Sequence, residues 1–271
     1  MLNYKGEKME FIKTLIKNRK LVFQLGKNDF KNRFAGTTLG ATWGFAQPFV
    51  FMLTYVIVFQ FILKAGSAGD YPFIVWYLPG MALWMSLNDS ILNATNSIKS
   101  YSYLVKKVVF PVDVIPVISL ASSAIVSTFL IIISIIVGIC FGYVPNFFKV
   151  IYFIIATFAL VISFTRFTSA VTALVPDFGQ LFNIFMQLMF WFTPIMWNIS
   201  MLNNHPTLEV IVKLMPFSYL VTGFREAFIG GNLITENFGI YTLAFWLITL
   251  FLFIWGNSVF KRSKKDFADV L

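Results

Sequence analysis

Ser86, Asp89, Asn93 and Asn96 follow one another at intervals of three and four residues, so they share one face of a helix inside an otherwise apolar run. Polar groups at membrane depth face either a neighbouring helix or a water-filled path, and Asp89 is the strongest candidate for a path residue. Arg166, in another apolar run, is the candidate partner that would make Asp89 a structural ion pair instead. Bond-making chemistry needs more than this face offers. Metal-assisted handling of a diphosphate requires clustered acids, and Asp89, Asp113 and Asp177 stand far apart in the chain. His205 and Cys140 are each the single residue of their type, which removes the usual nitrogen and sulfur metal sites and any intrachain disulfide. No catalytic residue, metal site or cofactor is expected in this chain.

Two short motifs are excluded by context. Asp177-Phe178-Gly179 spells a kinase metal-binding triplet, but no glycine-rich or catalytic loop accompanies it. No G-x-x-x-x-G-K-[ST] run exists, so nothing cradles ATP phosphates in a Walker-type loop, and any ATP energy must come from another subunit. Acceptor triplets at Asn88, Asn93 and Asn198 matter only if a host glycosylates them, and two of the three fall at membrane depth.

The elements that must hold these residues are set by composition. Of 271 residues 58% are hydrophobic and 12% charged, against about 25% charged in a soluble domain, so lipid is the main solvent. Uncharged runs long enough to cross a bilayer read as six spans: Trp43 to Leu63, Tyr71 to about Ser97, Val114 to Gly142, Val150 to Leu174, Phe178 to Trp197 and Ile240 to Phe260. An even number puts both termini on one side. Lys and Arg number nine before span one, three between Lys99 and Pro111, and four in the tail from Lys261, which assigns these segments and both termini to the cytoplasm. The net charge of +9 thus reports membrane orientation rather than nucleic-acid binding. No signal-peptide pattern precedes the first span. The expected organisation is a cytoplasmic amphipathic segment at 1–42, a six-helix domain at 43–260 and a basic cytoplasmic tail at 261–271.

Two amphipathic segments flank the spans. In the first, Lys13, Lys17, Lys20, Lys27 and Lys31 fall on one helical face, with Phe11, Ile12, Leu15, Val22, Phe23 and Phe30 opposite. That pattern predicts an interfacial helix whose basic face meets anionic head groups or a cytoplasmic partner. In the second, Ile98, Tyr101, Leu104, Val105, Val108 and Val109 recur at helical spacing beside Lys99, Lys106 and Lys107, and Pro111 ends the element. It reads either as a connector lying on the membrane or as a rigid helix able to receive a push from a soluble motor.

Between spans five and six, residues 205–235 are too apolar for water and too interrupted to span. Pro216, Gly223, Gly230 and Gly231 break the segment, while Glu209, Lys213, Arg225 and Glu226 charge it. A re-entrant hairpin of short half-helices is expected. Aromatic residues make up 18% of the chain. Phe190, Trp191 and Trp197 cluster around Thr193-Pro194 in span five, where they serve as an interfacial belt, as core packing or as the lining of a conduit for sugar or lipid.

Read in order, the landmarks are Leu39-Gly40-x-x-Trp43 with Pro48, Phe110-Pro111 with Pro116, Val175-x-Asp177, and Phe192-Thr193-Pro194-Ile195-x-Trp197. Pro216-x-x-Tyr219 with Arg225, and Asp266-Phe267-Ala268-Asp269, follow. On these motifs the chain resembles, from end to end, the permease subunits of type-2 ABC exporters that move lipid-linked cell-surface polysaccharides, the teichoic-acid and O-antigen exporters. The resemblance implies a homodimer of six-helix subunits bound to two copies of a separate ATP-binding subunit. It implies that the N-terminal helix and the segment with Tyr101, Leu104, Val105, Lys106, Lys107 and Val108 contact and couple to that subunit. The glycan would pass between two permeases, and the hairpin with Pro216, Tyr219 and Arg225 would shape the exit. The path candidates Ser86, Asp89, Asn93, Asn96, Phe190, Trp191 and Trp197 come from the residue patterns above, since the resemblance assigns none of them to the glycan. An ABC permease for drug or small-lipid efflux keeps the same architecture with another cargo. A polyprenyl-phosphate-handling membrane enzyme or a membrane scaffold are the readings from other classes.

Overall fold

The computed structural model describes residues 11, 13–63, 67–68, 71–106, 110–230 and 238–270. Helix α1 (Arg19–Arg33) continues helical turns at 13–17. A 3-10 turn at Gly40–Thr42 leads into α2 (Trp43–Val56), which widens into a π turn over Ile57–Ile62. A minimal antiparallel hairpin, β1 (Ser67–Ala68) with β2 (Tyr71–Pro72), precedes α3 (Phe73–Ser100). After α4 (Ser102–Val105) and a 3-10 turn at Val112–Val114 come α5 (Ile115–Cys140), α6 (Phe147–Leu174) and α7 (Asp177–Phe192). A 3-10 turn at Ile199–Leu202 leads to α8 (Pro206–Leu214) and α9 (Pro216–Ile229), and α10 (Phe238–Ser263) and α11 (Phe267–Val270) close the order.

Local chemistry sets the boundaries. The Asn146 side chain caps α6 by accepting from the amides of Phe148 and Lys149 at 3.1 and 3.2 Å. Thr193 takes extended backbone because Pro194 follows it, so α7 stops at Phe192 instead of running to Trp197 as the apolar pattern suggests. Met215 is extended ahead of Pro216 for the same reason, and there the axes of α8 and α9 turn by 85°. The left-handed Gly230, at φ 70°, ends α9.

Among the described residues, four helices are long and apolar enough to cross a membrane: Gly40–Ile62, Val112–Cys140, Phe147–Leu174 and Gly239–Ser263. The bent pair α8–α9 makes a fifth if it is counted as one span. The two remaining expected spans differ from these for physical reasons. Helix α3 has 28 residues, which is about 42 Å of helix, but it carries the polar face described above. Helix α7, with 16 residues, is about 24 Å long, shorter than the roughly 30 Å hydrocarbon core. The chain is a nearly all-helical, multi-pass membrane protein.

Helix α3 is the axis of the bundle: α1, α5, α6 and α9 pack around it or on one another, and most of its residues from Phe73 to Ile98 are buried. Where helices cross closely, glycine removes the obstacle, as association in lipid relies on close van der Waals packing. A Cβ on Gly256 of α10 would sit 3.0 Å from the Phe167 amide nitrogen of α6, and one on Gly26 of α1 would sit 2.7 Å from the Ala121 Cβ of α5. The latter crossing shows where the amphipathic segment spends its apolar side. Phe11, Gly26 and Phe30 are buried against the bundle, while Phe23 remains 73% exposed. Lys13, Lys17, Lys20, Lys27 and Lys31 are all exposed, on the face away from it.

The second amphipathic segment is not one helix. Ile98 and Lys99 end α3, Tyr101 breaks the axis at φ −104° and ψ 28°, and α4 adds a single turn. Lys107, Val108 and Val109 lie outside the described residues. The apolar side chains of this segment turn inward. Leu104 and Val105 are buried in a cluster with Ile98, Val112, Ile115, Ala170, Phe260 and Phe267, while Tyr103 is 58% exposed.

Candidate functional site

Two networks and one cavity occupy the end of the bundle that carries Arg33, Tyr101, Asp113 and Lys264. In the first network Arg166, buried on α6, donates to Asp113 at 3.1 Å and to Asn257 of α10 at 2.6 Å, and its guanidinium lies 4.4 Å from the Phe11 ring and 4.0 Å from the Phe260 ring. Lys264 pairs with the other oxygen of Asp113. This corrects the expected Arg166–Asp89 pair. Along α3 the Thr95 side faces α6, where its hydroxyl meets Thr168 at 2.7 Å, whereas the Asp89 side faces α5 and α1, so Arg166 cannot see it.

Asp89 pairs instead with Arg33, at the end of α1. The Arg33 guanidinium lies 2.9 Å from Asp29 and 3.4 Å from Asp89, and also reaches the Ser119 carbonyl at 3.3 Å and the Ser123 hydroxyl at 3.5 Å on α5. Asn93 donates to Asp89 at 2.7 Å and to Ser123 at 3.2 Å. Tyr101, at the break before α4, donates its hydroxyl to Asp29 at 2.5 Å. Burial and the bond to Asp29 raise the Tyr101 phenol above its ordinary value, so it keeps the proton it donates.

This network forms one end of a cavity of about 660 Å³ between α2, α3, α5 and α7. Arg33, Ser86, Asn88, Asp89, Asn93 and Ser123 supply its polar end, and Tyr55, Trp84, Phe190 and Trp191 line its aromatic length. Phe51 and Trp191 at the rim are exposed, so the cavity opens sideways out of the subunit. A space of this shape suits a molecule with polar groups at one end and apolar faces along its length, because aromatic rings pack against both sugar faces and hydrocarbon.

The residues singled out from sequence therefore separate. Ser86, Asp89, Asn93, Phe190 and Trp191 come together around the cavity. Asn96 is exposed beyond it and donates to the Leu92 carbonyl at 3.0 Å. Trp197 lies past the end of α7, bonded to the Trp191 carbonyl at 3.0 Å. Tyr219 is buried, its hydroxyl 2.9 Å from those of both Tyr152 and Thr242. Arg225 is buried as well, donating to the carbonyls of Trp76, Pro194 and Ile195 at 2.9 Å each. Tyr219 and Arg225 thus belong to the packed interior rather than to a rim, because the Tyr219 hydroxyl and the Nε and Nη2 groups of Arg225 are bonded inside the subunit. Sequence reasoning missed Asp29, Arg33 and Ser123. The i, i+4 spacing of Asp29 and Arg33 and the four-residue spacing of Ser119, Ser123 and Ser127 were the available signals.

Comparison with known proteins assigns the group. The ABC-2 type transporter family matches residues 20–229, about three quarters of the chain. The chain belongs to that family. The match begins in α1 and ends with α9, so it contains both networks' central residues and the whole cavity lining. Among characterised proteins, the chain is similar to the O-antigen export system permease protein RfbA of Myxococcus xanthus, at 22% identity over 265 residues, 96% of this chain and 99% of that protein. It is also similar to two proteins of the same name from Klebsiella pneumoniae, at 25% over 260 residues and 24% over 262, each covering 93% of this chain and 95% of the relative. As a member of the ABC-2 type transporters, the chain is the membrane component of a transporter.

Proposed function

We propose that this ABC-2 protein is the permease subunit of an ATP-driven exporter of lipid-linked cell-surface polysaccharide, an O-antigen, teichoic acid or similar wall polymer. The observation that carries the reading is similarity to O-antigen export permeases over nearly the whole length of both chains. The sideways-opening aromatic cavity with its polar end supports it, since it suits an amphiphilic glycolipid. In this reading the subunit has six spans, formed by α2, α3, α5, α6, α7 and α10, with α8–α9 as a re-entrant hairpin and both termini in the cytoplasm of the inner membrane. Two copies associate with two copies of a separate ATP-binding subunit. The exposed Tyr103 and Lys106 face that subunit, while the basic face of α1 lies on anionic head groups.

Purification from the native membrane in mild detergent, followed by mass spectrometry, is expected to recover a stoichiometric ATP-binding subunit. The reconstituted complex is expected to move a polyprenyl-linked glycan with ATP and to leave small dyes untouched. Movement of dye without glycan would shift the reading to small-molecule efflux, and recovery of the chain without any ATP-binding subunit would overturn it.

A further inference from the structure

We propose that Tyr101, Asp29, Arg33 and Asp89 form a relay that carries movement of the turn before α4 to the polar end of the cavity. The inference rests on the export-permease reading and adds Asp29 and Arg33 to it as positioning residues. Tyr101 holds Asp29 at 2.5 Å, Asp29 holds Arg33 at 2.9 Å, and Arg33 reaches Asp89 at 3.4 Å. The four residues come from three separate places in the chain: the end of α1, the polar face of α3 and the break that follows it. Arg33 and Asp89 line the cavity, whereas Tyr101 sits beside the exposed Tyr103, so the chain of contacts joins the outside of the subunit to its interior.

The contacts are graded. Those nearest the turn are short, and the Asp29–Arg33 pair has side chains only 17% and 21% exposed, while Asp89 at the far end is 44% exposed and its pair is the longest. Attraction falls with distance and with access to water, so displacement of the turn pulls Asp29 and Arg33 together and separates Arg33 from Asp89 first. Asp89 does not lose all support at that moment, because Asn93 still donates to it at 2.7 Å. The predicted consequence is that α1 moves with the turn while α3 stays, and the polar end of the cavity widens between them.

The test uses the assembled complex with its ATP-binding subunit in liposomes, and reads glycan exported per ATP hydrolysed. Removing one hydroxyl with Tyr101→Phe is expected to lower that ratio about tenfold, the worth of one hydrogen bond to a charged group. Asp89→Asn is expected to lower it similarly, and the double variant no further, since both cut one chain of contacts. Additive losses, or an unchanged ratio accompanied only by lower thermal stability, would overturn the relay and leave the contacts as simple packing of α1. If Tyr101→Phe does not assemble, Asp29→Asn decides: it cuts the same chain of contacts and is expected to lower the ratio about tenfold with no further loss when joined to Asp89→Asn, and an unchanged ratio or additive losses overturn the relay. Failure of the wild-type complex to export would instead count against the export reading itself.

Discussion

The Arg225 guanidinium stands 3.7 Å over the Trp76 ring while its Nε donates to the Trp76 backbone carbonyl at 2.9 Å, so one residue of α3 is gripped twice by one residue of α9. Nη2 of the same group spans to the carbonyls of Pro194 and Ile195, at 2.9 Å each, where α7 has just ended. A cation buried on α9 therefore satisfies carbonyls that Pro194 and the end of α7 leave without helical partners.

Arg225→Ala is expected to lower the thermal stability of the detergent-solubilised protein by about 2 to 4 kcal/mol, because several buried carbonyls lose a charged donor. Arg225→Lys restores little, since an ammonium lacks the planar fork. Gly80→Ala is expected to cost about 1 to 3 kcal/mol, as its Cβ would meet Nη2 of Arg225 at 2.7 Å. A fluorescence melting series that leaves all three variants at wild-type stability would remove Arg225 as an anchor.

Gly223 lets the Phe153 ring lie on α9: a Cβ there would fall 2.1 Å from the ring's Cζ. Gly223→Ala is expected to destabilise by about 1 to 3 kcal/mol, and the added change Phe153→Leu is expected to recover much of the loss. Size-exclusion profiles after graded heating check both variants.

At Asp113 the two cationic partners differ in burial, with the Arg166 side chain 2% exposed and that of Lys264 41% exposed. Removing the carboxylate with Asp113→Asn leaves a buried guanidinium short of its counter-charge and is expected to cost about 3 kcal/mol. Lys264→Met is expected to cost under about 1 kcal/mol, as an exposed pair is screened by water. Equal losses in thermal unfolding would contradict this ordering.

Leu104 is packed inside the subunit, so Leu104→Asp is expected to lower the subunit's own stability and yield. Tyr103→Asp is expected to leave stability within about 0.5 kcal/mol and to reduce co-purification of the ATP-binding subunit. Co-purification that survives Tyr103→Asp would move the docking surface elsewhere.

Asp89→Ala is expected to lower glycan export more than it lowers expression, because its side chain is part-exposed in the cavity and Arg33 keeps Asp29 as a partner. Equal losses of export and expression would return Asp89 to a purely structural role.

Much of this architecture is written in the order of residues. Apolar runs and the distribution of Lys and Arg are properties of single segments in contact with lipid or water, so the four long apolar helices and the basic face of α1 follow from local composition. Periodicity likewise grouped Ser86, Asp89 and Asn93 on one face, and Pro216 marked a break between short helices, whereas the apolar pattern carried span five past Pro194, where the helix in fact stops. What periodicity cannot say is which neighbour a face meets. Arg166 and Asp89 were the obvious charges to join by depth alone, yet the rotation of α3 about its axis turns Asp89 to α1 and leaves Arg166 to Asp113. Leu104 and Val105 showed an apolar face, and only the tertiary packing of Phe260 and Phe267 decided that it is covered from within. Arg225 and Tyr219 read as polar rim residues until the carbonyls and hydroxyls that surround them were in place. By itself the sequence determined which runs are apolar enough to lie in a bilayer, since transfer from water is a local sum over side chains. Tertiary structure decided which polar groups satisfy one another and which remain facing a cavity, since a hydrogen bond depends on the placement of two groups that the chain can hold far apart.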